Sequence, residues 1–381
     1  MKRISPVVKI GNVKIGGNFP PVLQSMTATD TRDVEKTSAE VLALHAAGAE
    51  IVRIAVPDFE SARAVPKIFE KISQKNAVVP LVGDFHFNGA EIFKKVPECA
   101  RALSKFRINP GNTADAGFLE MLEIARKFEK PGRIGANAGS VAPEILKKSK
   151  NLVDAVIRTL EISVAAAESI NFPADKIVLS AKLSNVLDTI AAHKILSEKF
   201  PHALHVGLTE SGSGLGGEIS SAVALGILLH EKIGDTVRVS ITPRPGEART
   251  REVEIGKQIL QSLGIRNFFP KIVSCPGCGR TAGDFYQKMT AEISDRVAKN
   301  FPIWREKFSG SENLKISILG CVVNGPGEAR DADFGICLPG RAENFALVFA
   351  RGEKICDLRG ENVIDEFWHL LERFVAENFK K

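Results

Sequence analysis

Cys275-Pro276-Gly277-Cys278-Gly279-Arg280 sets two thiols two residues apart, and Gly320-Cys321-Val322-Val323-Asn324-Gly325-Pro326-Gly327-Glu328 brings a third on a Gly/Pro-rich loop. Two cysteines at that spacing clasp one metal centre, and a third on a separate loop approaches it from another side. Iron of a cubane cluster, zinc and a dithiol couple all tolerate Cys-x-x-Cys, and buried thiols that merely pack are the plainer alternative. The turn through Asn324, Gly325, Pro326 and Gly327 leads to a carboxylate and has backbone amides that can face cluster sulfurs. A cluster needs a fourth ligand, for which Cys99, Cys337, Cys356 and Glu328 are the candidates. A carboxylate oxygen is harder and more readily displaced than a thiolate, so Glu328 would leave one iron open to substrate.

A second set of chemistry-bearing residues recurs along the first two thirds of the chain, each near the end of a short apolar segment. Gln24 and Thr27 follow the first segment, Arg53 lies in the second, and Asp84 and His86 end the third. Arg107 and Asn109 end the fourth, Asn137 the fifth, Lys182 the sixth and Glu210 the seventh, with Arg238 and Ser240 in the eighth. Each is ordinary alone, since a strand-end Arg or Lys is usually a solvated terminus and a single His usually a satisfied structural group. Together with Arg133 the cations make five, Arg53, Arg107, Arg133, Lys182 and Arg238, and guanidinium forks bind phosphate oxygens in pairs. Converging on one rim, they suit a diphosphate; the plainer reading pairs some of them with Asp84, Glu210 or other carboxylates inside the barrel.

The elements that must position these residues are legible as apolar strands alternating with amphipathic helices. The strands are expected at 22–25, 51–55, 80–85, 105–108, 134–137, 177–181, 204–208 and 236–241, and the helices include 33–47, 90–103, 152–169 and 184–200. Eight such units in roughly 250 residues match a (β/α)8 TIM barrel, whose catalytic groups cluster at the C-terminal ends of its strands. An N-terminal hairpin turning at Gly11-Asn12 precedes them. Gly212-Ser213-Gly214-Leu215-Gly216-Gly217 satisfies G-x-G-x-x-G, so a dinucleotide fold competes. Its place in the seventh unit rather than the first favours the barrel, where a late loop binds phosphate or simply connects. Beyond a bridging helix at 247–263 the repeat stops, giving domains at 1–264 and 265–381. The second reads as α+β: strands into Cys275, at 315–319, 334–338, 345–350 and 354–356, helices at 285–299 and 362–378, and a hairpin at Arg351-Gly352.

Composition excludes several classes. The net charge of +6 is a mild excess with both signs interspersed, and the 22 Phe against one Tyr and two Trp favour core packing over base stacking. Nucleic acid is not implied. No apolar run is long enough to span a bilayer, and Met1-Lys2-Arg3 is not followed by an apolar signal core, so a cytoplasmic protein without membrane partners is expected. Six unevenly spaced cysteines suit reduced thiols or metal ligation better than a disulfide framework.

The Cys-Pro-x-Cys-Gly-Arg motif, the run Gly320 to Ala329 and the later Ala332-Asp333-Phe334-Gly335 resemble the 4-hydroxy-3-methylbut-2-en-1-yl diphosphate synthases. Ile15-Gly16-Gly17 and Gln24-Ser25-Met26-Thr27 are similar to that family's opening, so the resemblance covers nearly the whole chain. It implies a TIM barrel followed by a smaller α+β iron-sulfur domain of sulfite-reductase-like type, carrying a [4Fe-4S] cluster. The implied reaction is reductive opening of 2-C-methyl-D-erythritol 2,4-cyclodiphosphate, with loss of water, in the methylerythritol phosphate route to isoprenoids. By the same resemblance Cys275, Cys278, Cys321 and Glu328 are the metal ligands. Arg53, Arg107, Asn109, Arg133, Asn137, Lys182, Arg238 and Ser240 bind substrate, and Asp84, His86 and Glu210 lie near the reacting end. Flavodoxin or ferredoxin is the implied electron donor and a homodimer the implied assembly. Cys337 departs from the expected pattern as a potential competitor for iron. The rivals are a zinc-bearing metabolite-binding module and a Schiff-base aldolase acting through Lys182.

Overall fold

Short Val/Ile/Leu-rich segments, each following a loop, form the strands of the first unit, and polar caps start many of the helices between them. Asp33, Asp58, Asp115, Asn151 and Asn185 each accept a hydrogen bond from the backbone N–H three residues on. Each such cap is worth about 1 kcal/mol and fixes where the chain turns back along the barrel. The computed structural model describes residues 4–86, 88–109, 115–281, 284–323, 325–339 and 345–379, so Met1-Lys2-Arg3 and Asn324 lie outside the described residues. Two compact units are present, 1–266 and 267–381.

In the first unit, β1 (Val8–Ile10) and β2 (Val13–Ile15) make the N-terminal hairpin. Eight parallel strands follow: β3 (Val22–Met26), β4 (Ile51–Ala55), β5 (Leu81–Phe85), β6 (Lys105–Ile108), β7 (Gly132–Asn137), β8 (Ile177–Lys182), β9 (Ala203–Val206) and β10 (Thr236–Val237). They close into a barrel when β10 pairs with both β9 and β3. The dinucleotide fold is thereby excluded, because its open sheet has two edges and this one has none. The last two strands are shorter than expected. Gly207 presses its backbone so closely to Arg238 that an added Cβ would sit 2.5 Å from the Arg238 carbonyl oxygen, and regular pairing stops there. The expected helix at 90–103 divides into Gly89–Lys95 and Pro97–Ala102, since Pro97 has no N–H and holds Val96 out of helical geometry.

Inward-facing residues come from alternate positions of each strand. Val22, Ile51, Val82, Val178 and Ala203 form an apolar floor, and Val8, Ile10 and Ile15 of the hairpin pack on it and seal that end. Above this floor the inward positions turn polar, with Gln24, Arg53, Asp84, Lys105, Arg133, Ser180, His205 and Thr236. A barrel of this kind is ordinarily filled by branched aliphatic side chains throughout. Here the apolar filling stops after one layer.

The second unit is a five-stranded mixed sheet in the order β11 (Lys271–Ser274), β12 (Lys315–Leu319), β13 (Phe334–Cys337), β14 (Phe345–Ala350) and β15 (Glu353–Arg359). The first three are parallel and the last two antiparallel. Arg351 and Gly352, both at positive φ, make the β14–β15 turn. The helices Phe285–Lys307 and Val363–Asn378 supply the core, in which Trp304 stacks on Trp368 at 5.6 Å and Phe334 meets Phe367 and Phe374. The first of these helices runs eight residues beyond its expected end, through Pro302. Among the described residues no helix is long and apolar enough to cross a membrane.

Candidate functional site

Asp84, on β5, organises the charges inside the barrel. Its Oδ1 lies 3.2 Å from Arg107 Nη1 and its Oδ2 3.9 Å from Arg53 Nε, and all three side chains are nearly buried. Burial opposes ionisation of Asp84, but the guanidinium groups of Arg53, Arg107 and Arg133 outweigh it and hold the carboxyl below its usual range. His86 Nε2 stands 3.2 Å from Arg107 Nη1 and 4.0 Å from Asp84 Oδ2. Burial and then the Arg107 charge lower the imidazole's pKa, so it is neutral at pH 7. Arg53 also directs Nε and Nη2 at Met26 Sδ, at 3.0 and 2.8 Å.

Around this centre the remaining cations are short of counter-charge. Arg133, fully buried on β7, donates Nη1 to Ser180 Oγ at 2.5 Å, while its Nε and Nη2 are buried without hydrogen-bond partners. Gly135 makes room for that contact, because a Cβ there would lie 2.6 Å from Arg133 Nη1. Lys182 ends β8 half-buried; burial first, then the fields of Arg53, Arg133, Arg238 and Arg107, pull its pKa well down. Arg238 lies 3.9 Å from Glu252, which Arg249 approaches at 3.1 Å. Among the described residues, Arg133, Lys182 and Lys105 have no carboxylate within ion-pair distance. Unpaired buried N–H donors are costly, so an interior of this kind is built to be completed by an anion.

The five cations named from the sequence thus share one interior, and Asp84 and His86 join them. Asn109, with its Oδ1 buried and without a hydrogen-bond partner, and Asn137 end β6 and β7 at the same mouth. The Ser240 carbonyl accepts a hydrogen bond from Ser211 Oγ at 2.6 Å. Glu210 is exposed, in the left-handed region at φ 58°, and makes no ion pair with the barrel cations among the described residues. The plainer pairing of those cations with Glu210 is therefore not seen. The Gly-rich loop opens the helix Gly214–His230, and Gly217 packs against the Gly212 carbonyl at a distance no Cβ tolerates. Sequence reading missed Lys105, Ser180, His205 and Glu252. The signal for Lys105 was available, since period-two alternation puts it on the same face as Arg107.

In the second unit the register of β11, β12 and β13 brings Cys275, Cys321 and Cys337 to one end of the sheet, because each lies at or just beyond the C-terminal end of its strand. The Gly320 N–H points at Cys275 Sγ from 3.5 Å, and Tyr286, buried, donates its hydroxyl to the Cys275 carbonyl at 2.6 Å. Burial opposes ionisation of Cys275, yet hydrogen bonds from the Tyr286 side chain and the Gly320 and Gly277 amides outweigh it and lower the thiol's pKa. Cys278 is exposed in a turn held by Thr281, and the Arg280 amide lowers its pKa as well. Glu328 is exposed on the short helix Gly325–Arg330. Among the described residues no three His, Cys, Asp or Glu side chains stand close enough to hold one metal ion. The donor set nevertheless suits an iron-sulfur group: two thiols biased toward thiolate, a third at the same sheet end, and a backbone N–H already directed at sulfur.

Cys337 is different in kind. Burial pushes its thiol up to about 12, and it donates to the Cys321 carbonyl at 3.2 Å. Cys99 lies buried in the other unit and Cys356 on the far edge strand. Gly325 packs directly on Cys337, since a Cβ there would fall 1.9 Å from Sγ. Gly325→Ala is expected to lower the unfolding free energy by about 1–3 kcal/mol in urea titration, and Gly325→Ala/Cys337→Ala to recover part of it. Equal loss in the single and double variants would remove the packing explanation.

A closed parallel barrel with a cationic interior, followed by a separate mixed-sheet unit with three cysteines at one sheet end, defines a two-domain α/β-barrel protein. Comparison with known proteins gives the particular family. Residues 5–257 match the GcpE TIM-barrel domain and residues 271–373 the GcpE protein C-terminal domain. The chain belongs to the GcpE family, the 4-hydroxy-3-methylbut-2-en-1-yl diphosphate synthases. Among solved structures, a Plasmodium falciparum HPPK-DHPS is similar at 11% identity and a TM-score of 0.50, covering 68% of this chain and 50% of its own. Dihydropteroate synthase from Xanthomonas albilineans matches at 14% identity, TM-score 0.48, over 68% and 98% of the two chains. N-acetylneuraminic acid synthetase from Leptospira borgpetersenii matches at 13%, TM-score 0.47, over 69% and 90%. At 11% identity the likeness with a TM-score of 0.50 concerns the fold alone.

Proposed function

We propose that the chain catalyses the reductive ring opening and dehydration of 2-C-methyl-D-erythritol 2,4-cyclodiphosphate to 4-hydroxy-3-methylbut-2-enyl diphosphate. The observation that carries this reading is the under-neutralised barrel interior, in which Arg133 and Lys182 have no carboxylate partner among the described residues and Arg53 and Arg107 share Asp84. Family membership supports it. In this reading 1–264 is the substrate domain, where Arg53, Arg107, Arg133, Lys182 and Arg238 hold the two phosphates and Asn109, Asn137 and Ser240 hydrogen-bond the substrate. Asp84 fixes the angle of the Arg53 and Arg107 forks, and neutral His86 offers a hydrogen bond rather than a second charge.

The domain at 265–381 would hold a [4Fe-4S] cluster on Cys275, Cys278, Cys321 and Glu328. Bound there, such a cluster would pass on two electrons from an external donor, one at a time, and would offer an iron that acts as a Lewis acid. Flavodoxin or ferredoxin is the proposed donor, a homodimer the proposed assembly and the cytoplasm the proposed compartment. The test is iron, acid-labile sulfide and zinc content of anaerobically purified protein, beside turnover of the cyclodiphosphate with a chemical reductant. About four irons and four sulfides per chain with turnover support the reading. Stoichiometric zinc without sulfide sinks it.

Glu210 is proposed to hold the proton that leaves with the substrate hydroxyl as water, being an exposed carboxylate on a strained residue after β9. Glu210→Gln keeps the size and the backbone preference of the side chain and removes the acid. Turnover is expected to fall about 10²–10⁴-fold with little change in KM. Full turnover in this variant would end the assignment.

A further inference from the structure

Lys105 is assigned no role by the reaction as proposed, yet like Arg133 it is a fully buried cation of the barrel. It opens β6 one inward position below Arg107, is 0% exposed, and shares the polar layer directly above the apolar floor. Among the described residues its Nζ has one hydrogen-bond partner, Gln24 Oε1 at 3.1 Å, reached across the barrel from β3. An ammonium there would leave two of its three N–H groups without a partner among the described residues. The charged groups that act on it are cations, Arg53 from β4 and Arg133 from β7, and His205 from β9 lies within its field. Asp84 on β5 is the nearest-layer carboxylate and is already engaged by Arg53 and Arg107. Burial, then Arg133 and Arg53, drive the Lys105 pKa well below that of a free lysine, in the direction that favours the uncharged amine.

We propose that Lys105 is a ligand-coupled proton site: when a diphosphate enters the barrel mouth, Nζ takes up one proton from solvent and becomes the innermost counter-charge to it. The balance is simple. The lone pair of Nζ accepts H⁺ from buffer, no other bond changes, and the barrel gains one positive charge as the ligand brings in its negative ones. The coupling is electrostatic and therefore reciprocal, so diphosphate affinity rises as pH falls through the range in which the bound-state amine titrates. The inference rests on the diphosphate reading of the barrel, and its test separates the two.

Binding of inorganic pyrophosphate to the full-length protein is measured calorimetrically at pH 7.5 in buffers of different ionisation enthalpy, which yields the protons exchanged per ligand bound. Pyrophosphate's own titration contributes equally to every variant, so differences between variants isolate the protein. Wild type is expected to take up about one proton more than Lys105→Met. Gln24→Glu supplies a fixed carboxylate 3.1 Å from Nζ that keeps the ammonium charged in the empty barrel, so its proton count should match that of Lys105→Met although the lysine remains. Equal counts in wild type and Lys105→Met overturn the proposal while leaving the diphosphate site intact. Absence of pyrophosphate binding in wild type instead removes the diphosphate reading itself. Loss of all binding in both variants also overturns the proposal, because coupling to one proton alters affinity by about tenfold for each tenfold change in proton concentration and does not abolish it.

Discussion

Arg107→Met is expected to abolish turnover and to lower the unfolding free energy by about 3–5 kcal/mol, the cost typical of breaking a buried ion pair from one side. Asp84 is 11% exposed at its side chain, with Arg107 Nη1 at 3.2 Å and Arg53 Nε farther off at 3.9 Å. Removing Arg107 leaves a nearly buried carboxylate whose remaining partner lies beyond hydrogen-bonding distance. Arg107→Met/Asp84→Asn removes both charges and should recover most of the stability, while turnover stays lost because the phosphate fork is gone. Urea unfolding and steady-state assays on the two variants check both halves. Recovery of turnover in the double variant would mean that Arg107 serves the fold alone.

The same pair sets a pH dependence. The folded Asp84 pKa lies below that of an unfolded aspartate, so its contribution to stability is fully present above about pH 4 and fades as pH falls through the folded value. In Arg107→Met, burial opposes ionisation with less to offset it, the folded pKa rises, and that contribution shrinks or reverses at neutral pH. Unfolding free energies measured between pH 3 and 7 should therefore separate wild type from variant most at the upper end.

Cys321→Ser is expected to reduce iron from about four per chain to near zero after anaerobic purification and to eliminate turnover, while the fold remains. Serine is a weak ligand for iron because its hydroxyl does not ionise near pH 7 and is harder than a thiolate. Cys337→Ala is the internal control. Its thiol is buried, kept protonated and committed to the Cys321 carbonyl, so iron content should survive the change. Iron lost equally from both would return Cys337 to the ligand set; iron retained in Cys321→Ser would remove Cys321 from it. Visible absorbance and circular dichroism distinguish cluster loss from unfolding.

Much of the architecture was legible because local periodicity carried it. Apolar segments at Val22–Met26, Ile51–Ala55 and Ile177–Lys182 announce buried parallel strands, and the Asp and Asn caps after them fix the following helices. The cysteine loops were equally plain, since their spacing lies within a few residues of chain. The division of 90–103 at Pro97 is a local effect of the proline that the periodicity overrode, whereas the brevity of β10 and the extension of the helix to Lys307 depend on contacts with partners elsewhere.

By itself, then, the sequence determined eight strand–helix units, a separate cysteine-bearing module and the recurrence of polar residues at strand ends, because residue type and short-range spacing suffice for all three. Only closure of β10 on β3 decided which side chains meet. It brought Gln24 to Lys105 across 81 residues, set Asp84 between Arg53 and Arg107, and left Arg133 and Lys182 without a carboxylate among the described residues. The stagger of strands around a barrel fixes those partners, and the resulting imbalance of buried charge is a property of the closed interior that no local stretch of chain encodes.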